Sequence, residues 1–326
     1  MRKRIIIFSK FVKIAKMYRE LLLKEIRQKI GDKSLNDEIA NVLNISYDAA
    51  HRRTSMKSKF SLEESLLLAK FYNISLDNFL KNENHLLVKK TKAVNKTEDL
   101  HSFFDNTLEI LTSFSFSENS AIYYSAKDIP FFYTLSDTIL SRFKIYVWMN
   151  MLNSKQVFAS FRDFKPALFN PKTKILREIY EEQTVIELWN DMTISSILLQ
   201  ISFYDEIGLL CKEDSLSILQ ELDELIRYIE HKTENNPRFH IYQNELAHLS
   251  NDIFISNGKQ STLAVPCNMF GYLLLNDTKT CDETMNYFQH QIRNCKSLNT
   301  AGNRDRKVFF NKMYQKIEAL KKSLIE

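Results

Sequence analysis

Glycine and proline are both scarce in this chain of 326 residues. Each occurs five times, so few positions favour tight turns or interrupt a helix. By contrast, Phe occurs 23 times and Tyr 14 times, which is typical of large cores packed with aromatic rings. The composition therefore predicts a mainly α-helical protein, and the length predicts about two domains.

Long apolar runs are also missing. No uninterrupted stretch approaches the roughly 20 residues that a membrane-spanning helix needs, and the richest, residues 194–210, contains Asp205 and Glu206. The apolar run of residues 5–8 is too short for the hydrophobic part of a signal peptide, and Lys10 interrupts it soon afterwards. We therefore expect a cytoplasmic protein without a membrane partner.

The sequence contains no recognisable metal-binding or catalytic motif. Cys211, Cys267, Cys281 and Cys295 show no C-x-x-C spacing, and none has a His at zinc-finger distance, which argues against a metal site. Scattered cysteines in a long chain are typical of buried thiols in a reducing cytosol. Since Gly-rich phosphate loops, nucleophile elbows and H-E-x-x-H motifs are absent too, we expect neither an enzyme nor a cofactor.

Charge is unevenly distributed. Residues 1–96 hold 21 Lys and Arg against 10 Asp and Glu, a net charge of +11, whereas the rest of the chain carries −6. A basic segment on an acidic remainder indicates that the basic part meets a polyanion, although a solvated basic face would show the same count.

Apolar periodicity predicts most of the secondary structure. Helices are expected at about 11–30, 98–111, 130–152, 173–181, 183–203, 214–233, 279–296 and 303–324. A short strand is expected at 121–125, a loop at 154–173, and a hairpin turn at Asn257-Gly258. The predicted fold class is therefore mainly α, with an N-terminal helix-turn-helix domain and a larger helical C-terminal domain that carries a small antiparallel β-sheet near 238–276.

Residues 34–80 contain the start signals of successive short helices. Ser34 is placed to cap a helix with Asp37 three residues on, and Ser46 caps the helix that follows. Ser61 and Glu64 form a capping box for a third helix. A fourth, short helix follows Ser75. Further core residues of the last two helices are expected at Leu62, Leu66, Leu67, Ala69, Phe71, Leu76, Phe79 and Leu80.

The first two of these helices have the spacing of a helix-turn-helix. Ala40, Ile45 and Ala50 provide small or apolar residues where the two helices cross and at the angle between them. Asn44 is expected to adopt the left-handed conformation at the turn. A simple helical hairpin could reproduce the same apolar spacing.

The outward face of the second helix carries the candidates for reading DNA. Tyr47, Asp48, His51 and Arg52 lie near the helix N-terminus, the end that meets base edges in such domains. Arg52 is the first candidate because Arg pairs bidentately with guanine. Asp48 lies four residues earlier and could instead pair with Arg52 on the helix. Tyr47 and His51 suit either bases or phosphates.

Several basic or polar residues around this helix are candidates for contacts to phosphate. They are Ser46, Arg53, Lys57 and Lys59, which would position the domain without reading sequence. Arg2–Arg4 form a basic arm that could reach the DNA backbone or a groove, or simply fray.

The segments SLNDEIANVLNIS and FSLEESLLLAKFYNISLDNFL resemble the helix-turn-helix of bacterial repressors of the Xre and lambda-repressor type. Within them, ISYDAAHRRTS is similar to the BetR-type variant: Ser46, Asp48, Ala50, Arg52 and Arg53 match its Ser-x-Asp-x-Ala-x-Arg-Arg core. The resemblance implies sequence-specific DNA binding and transcriptional control.

Three departures from the family pattern concern the helix-turn-helix and the residues that follow it. The usual turn Gly is Asn44, the usual apolar residue late in the second helix is Arg53, and no Gly occurs in residues 54–57. Arg53 could lay its aliphatic stem on the core and keep its charge in water.

These observations predict a transcriptional regulator that binds double-stranded DNA. The expected domains are a DNA-binding domain at 1–80, a linker at 81–97 and a dimerisation or sensing domain at 98–326, with residues 46–54 as the recognition helix. A homodimer is expected because one small domain contacts few base pairs; whether a small-molecule effector exists is left open. The alternative is a protein-interaction module or small-molecule sensor that keeps the helix-turn-helix as a scaffold.

Overall fold

A computed structural model describes residues 17–76, 79, 86, 88–114, 116, 118–152, 160–167, 169–246, 249–300 and 303–326. The chain divides into two compact units, Met1–Leu87 and Val88–Glu326. The predicted basic arm, Arg2–Arg4, lies outside the described residues, as does Leu80 of the predicted fourth short helix. Separate apolar cores stabilise the two units.

Four helices build the described part of the N-terminal unit. They are α1 (17–30), α2 (Leu35–Leu43), α3 (Tyr47–Thr54) and α4 (Leu62–Phe71). Their shared core is centred on Ile26, Ile39, Ala50 and Leu68, which are fully buried. The predicted end of α1 near residue 30 is confirmed, and Gly31 follows it with a left-handed φ of +60°. The order of the helices is the one that the caps and periodicity predict.

The tripeptide Asn-Ile-Ser follows both α2 and α4. Asn44 and Asn73 adopt the left-handed conformation, with φ of 52° and 51°. The N–H of Ile45 then donates to the carbonyl of Ala40 at 3.0 Å. The equivalent bond after α4 measures 2.8 Å. The two helices therefore end in the same way, with Asn in the conformation that Gly usually supplies.

The C-terminal unit alternates strands and helices. Its elements are β1 (Lys89–Lys90), α5 (Asp99–Ser113), β2 (Ala121–Ser125), a 3-10 helix (Phe131–Thr134), α6 (Ile139–Leu152), a second 3-10 helix (Phe161–Asp163), α7 (Pro171–Glu182), β3 (Thr184–Trp189), α8 (Ser195–Glu206), α9 (Lys212–Asn235), β4 (Phe239–Gln243), β5 (Ile253–Ser256), β6 (Ser261–Asn268), β7 (Gly271–Leu275), α10 (Thr278–Arg293), β8 (Lys296–Ser297) and α11 (Asn303–Ile325). Within the described ranges the strands form one eight-stranded sheet, in the order β1-β7-β6-β5-β2-β3-β4-β8.

The predicted mainly α fold class with a small antiparallel sheet near 238–276 is wrong. The sheet is mixed, since β2, β3 and β4 pair in parallel and the remaining pairs are antiparallel. The largest error concerns residues 183–203, expected as one helix, where β3 comes first and α8 follows. Val185–Trp189 is buried along its whole length. A strand covered on both faces has a continuous apolar run, which periodicity alone does not distinguish from a buried helix.

Helices cover both faces of this sheet. Alternation along β3 directs Val185 and Trp189 to the larger core, which includes side chains of α5 to α9 and α11. Leu188 faces the opposite side, where it joins a smaller cluster with Cys281 and Phe288 of α10. The C-terminal unit is therefore an α/β/α arrangement around a central sheet.

Other local predictions had mixed outcomes. The strand at 121–125 is confirmed as β2, and the turn at Asn257-Gly258 is confirmed as the link between β5 and β6. The helix expected from Pro130 begins only at Ile139, after a 3-10 helix. Residues 89–90, expected in a linker, form β1 and pair with β7.

The expectation of four buried thiols was only partly correct. All four cysteines are free, but only Cys281 is buried, and Cys267 is exposed. The position of Cys267 at the end of an outer hairpin explains this, because β6 and β7 meet there next to Asn268.

Candidate nucleic-acid interface

The predicted caps hold the two central helices of the N-terminal unit. Ser34 Oγ accepts the N–H of Asp37 at 3.4 Å, and Ser46 Oγ accepts the N–H of Ala49 at 3.3 Å. Ala50 is fully buried at the crossing of α2 and α3. These predictions are confirmed. Because α3 packs on α2 through the side that carries Ala50, its opposite side faces outward and carries the candidates for DNA contact.

The outward face of α3 is exposed. Tyr47, Asp48, His51 and Arg52 are all exposed, with 51% of Tyr47 accessible. In the part of the chain that the structure describes, no ion pair joins Asp48 to Arg52, and the guanidinium of Arg52 has no hydrogen-bond partner. The sequence left open whether Arg52 pairs with Asp48 on the helix or faces outward without a partner. The structure shows the outward, unpaired side chain.

Asn36, near the start of α2, organises three side chains of α3. Its Nδ2 donates to Tyr47 Oη at 3.1 Å and lies 3.4 Å from His51 Nδ1, while its Oδ1 accepts from Thr54 Oγ1 at 2.7 Å. The Tyr47 and His51 rings stack, with centroids 6.5 Å apart and planes 2° from parallel.

This arrangement leaves outward hydrogen-bond donors. Because Tyr47 Oη accepts from Asn36, its own hydrogen remains available. In neutral His51 an acceptor role for Nδ1 places the proton on Nε2. Both rings are thus oriented donors, suited to the acceptor oxygens and nitrogens of DNA.

Arg53, a candidate for a phosphate contact, faces the inside of the unit instead. Its Nε and Nη2 donate to Glu64 at 3.0 and 2.6 Å, and its Nη1 donates to the carbonyl of Ala49 at 3.0 Å. The carboxylate of Glu64 also accepts the N–H of Ser61 at 2.9 Å, which completes the predicted capping box. The guanidinium of Arg53 is therefore engaged in holding α3 to α4.

The loop after α3 carries the remaining basic candidates. Met56 takes the left-handed conformation, with φ of 63°, in the segment 54–57 that contains no Gly. Lys57 and Lys59 are exposed and form no ion pair with any residue that the structure describes. Arg19 of α1 supports the loop through a hydrogen bond from Nη1 to the carbonyl of Ser58, at 3.2 Å.

The predicted core of α4 was largely wrong. Ala69 is buried as expected, and so is Leu68. The other apolar residues of this helix are exposed: Leu62 by 68%, Leu66 by 51%, Leu67 by 54% and Phe71 by 65%. Six of the ten residues of α4 are apolar and they are spread around the helix axis, whereas the four-helix core covers only one side, so four of them remain exposed.

Sequence reasoning missed Asn36, Arg19 and the second role of Glu64. The capping box marked Glu64 as a helix-start residue, but its pairing with Arg53 joins residues on two different helices. Asn36 and Arg19 carry no sequence signal, because each acts on a residue that only the fold brings near. Local sequence pattern therefore could not predict their contacts.

The described residues contain no cluster of metal ligands, and the chain has no match among known proteins. Among the described residues, no group of three or more His, Cys, Asp or Glu is arranged to hold a metal ion. No helix in those ranges combines the length and the apolarity that crossing a membrane requires. Comparison with protein-family models, curated proteins and solved structures found no match to this chain.

Proposed function

We propose that this protein is a transcriptional regulator that binds double-stranded DNA sequence-specifically, with α3 in the major groove. The observation that carries the proposal is the outward face of α3, where the unpaired Arg52 lies beside the oriented donors Tyr47 and His51. Arg in such a position recognises guanine through O6 and N7. Asp48 is assigned to the same face, where a carboxylate accepts from cytosine N4.

Phosphate contacts are assigned to residues at both ends of α3. The hydroxyl of Ser46 accepts from Ala49 and keeps its hydrogen for a phosphate oxygen at the helix N-terminus. Lys57 and Lys59 provide exposed ammonium groups in the following loop. The charge of +11 over residues 1–96 supports the same polyanionic partner. Arg53 is assigned to positioning α3 rather than to phosphate.

We further propose that two copies act together on DNA. One short recognition helix reads few base pairs, and dimers of such domains bind half-sites about 34 Å apart. The apolar face of α4 is a surface that a second copy would cover, since exposed apolar patches of this kind mark interaction sites. A bacterial regulator of this type would act in the cytoplasm, where the DNA is.

The first test is selection of bound sequences from a random duplex pool with the full chain, followed by fluorescence anisotropy. We expect enrichment of a palindrome or a direct half-site repeat. We also expect the logarithm of the binding constant to fall linearly with the logarithm of salt concentration, by about 0.9 for each phosphate contacted. Absence of enrichment together with a flat salt dependence would overturn the proposal.

A second candidate function is protein interaction, with the helix-turn-helix kept as a scaffold. The exposed Leu62, Leu66, Leu67 and Phe71 favour it, because this apolar face does not require DNA. Light scattering of the full chain, with and without the selected duplex, separates the two. Self-association without any salt-dependent DNA binding would favour the scaffold. Dimers that bind duplex would favour the regulator.

A further inference from the structure

A cavity of about 270 Å³ lies in the C-terminal unit at the carboxyl end of β2. The loop that follows β2, the helices α5, α6 and α8, and the turn between β6 and β7 contribute its lining. In α/β sheets the crevice beyond the carboxyl ends of parallel strands is the usual place for a ligand. The position of this cavity therefore suits a binding site.

Aromatic side chains form the apolar wall of the cavity. Phe131 and Trp148 lie side by side, with ring centroids 6.5 Å apart, and Phe103 packs edge-on against Phe131 at 5.5 Å. Tyr124 and Tyr272 complete the lining on the sheet side. Burial raises the pKa of Tyr272 to about 12, so its hydroxyl is neutral at physiological pH. Flat walls of this kind suit a planar ring.

Asp128, the acidic residue that lines the cavity, already has hydrogen-bond partners within the protein. Lys144 is fully buried, and its Nζ lies 2.6 Å from Asp128 Oδ2 and 3.3 Å from Gln200 Oε1. The other oxygen of Asp128 accepts the N–H of Ile129 at 2.8 Å. Since both carboxylate oxygens are occupied, the pair offers a ligand no net negative charge, and the cavity does not favour a cation.

The groups that remain available are donors. Asn251 Oδ1 accepts the N–H of Asp128 at 3.0 Å, and Asn268 Oδ1 accepts the N–H of Phe270 at 3.2 Å. Neither Nδ2 donates to any part of the chain that the structure describes, and both residues line the cavity. Lys127, also in the lining, is exposed and has no ion pair within the same ranges. The two side-chain NH2 groups and the one ammonium group favour a ligand with a negatively charged hydrogen-bond acceptor.

We propose that this cavity binds a small aromatic carboxylate. The ring would lie against Trp148 and its aromatic neighbours, and the carboxylate would meet Lys127, Asn251 and Asn268. The volume is slightly below the roughly 300 Å³ at which pockets for drug-sized ligands begin, so one ring or a small fused system fits. This inference concerns the C-terminal unit alone and does not rest on DNA binding.

The test is a titration of the full chain with benzoate and 4-hydroxybenzoate. Trp148 lines the cavity, whereas Trp189, the other of the two tryptophans, is fully buried and donates to Glu187. We expect a saturable change in tryptophan fluorescence and a saturation-transfer signal on the ligand in NMR. Benzylamine, with the same ring and the opposite charge, and acetate, with no ring, should give neither.

Two variants in the cavity lining and one control outside it locate the binding. Lys127→Glu should lower the affinity for the aromatic carboxylate about tenfold, because one charge-assisted hydrogen bond contributes about that much. Lys279→Glu, a matched change at an exposed lysine outside the lining, should leave it unchanged. Trp148→Phe should abolish the fluorescence response while the NMR signal persists.

Three results would overturn the proposal. They are no saturation by either carboxylate below about 10 mM, equal binding of benzylamine, and equal effects of the Lys127 and Lys279 variants. If neither carboxylate binds, the Lys144–Asp128 pair has only a structural role, which is to anchor the loop after β2 to α6.

Discussion

Arg53 and Glu64 join α3 to α4 through two hydrogen bonds, at 3.0 and 2.6 Å. Both side chains are about one-fifth exposed, and the carboxylate also accepts the N–H of Ser61 that begins α4. One carboxylate thus completes the cap of α4 and determines the orientation of α3. A bidentate pair of this kind is geometrically more specific than an ordinary surface ion pair.

Glu64→Gln should destabilise the N-terminal unit by about 1–2 kcal/mol, because the charge-assisted bonds to Arg53 are lost while the side-chain size is kept. Hydrogen–deuterium exchange of peptides from α3 and α4 measures the effect locally. Asp32→Asn is the matched control, because Asp32 is exposed and its side chain has no partner among the described residues. Equal exchange in the two variants would contradict the role assigned to Glu64.

Acid should weaken the same junction. The hydrogen bond from Arg53 is the main cause that lowers the pKa of Glu64 below its ordinary value of 4.5. A carboxyl group whose pKa is lower in the folded state contributes stability above its unfolded pKa, and that stability disappears as pH falls through the folded pKa. We therefore expect the protection of α3 and α4 against exchange, corrected for the intrinsic pH dependence of amide exchange, to fall below about pH 4.5. In Glu64→Gln this part of the pH dependence should be missing.

Arg52→Ala should lower affinity for a selected duplex by about 1–3 kcal/mol and leave affinity for a scrambled duplex little changed. The reason is that an unpaired guanidinium on the outward face is assigned to a guanine edge. Lys57→Ala, assigned to phosphate, should weaken both duplexes alike and reduce the salt slope by about 1. Fluorescence anisotropy distinguishes the two patterns. Equal losses on both duplexes for Arg52→Ala would remove its base-reading role.

Asn44→Gly should stabilise the N-terminal unit by about 0.5 kcal/mol, whereas Asn44→Val should destabilise it by about 1–2 kcal/mol. Asn44 has a φ of 52° and is exposed, so its contribution is mainly the backbone conformation. Asn73→Gly, at the equivalent end of α4, should act in the same direction. Urea denaturation followed by circular dichroism tests the order Gly, Asn, Val, and any other order would contradict it.

Glu187→Leu should destabilise the C-terminal unit by about 3–5 kcal/mol. This carboxylate is fully buried and accepts hydrogen bonds from Tyr133 at 2.8 Å, Tyr180 at 2.7 Å and Trp189 at 2.6 Å. The substitution leaves three buried donors without a partner. Glu109→Leu, at an exposed position of α5, is the control. A similar melting temperature for the two variants would contradict this account.

The N-terminal unit was the more predictable of the two units. Ser34, Ser46 and the Ser61–Glu64 box were identified from spacing, and each makes the bond that its position predicts. Caps and periodicity depend on residues three or four apart, so local pattern contains them. The burial of α4 was not predictable in this way, because the number of faces covered depends on how many other helices pack against it.

The sequence by itself determined the order and N-terminal caps of α2, α3 and α4, the end of α2 at Asn44, the basic charge of the first 96 residues, and Arg52 as an outward candidate. Only the tertiary structure decided that Thr184–Trp189 is a central strand, that Arg53 binds Glu64 and that Arg52 does not bind Asp48. The physical reason is distance along the chain. A cap or a turn is stabilised by neighbours, whereas a parallel strand, an interhelical ion pair and a cavity are stabilised by residues that are far apart until the chain folds.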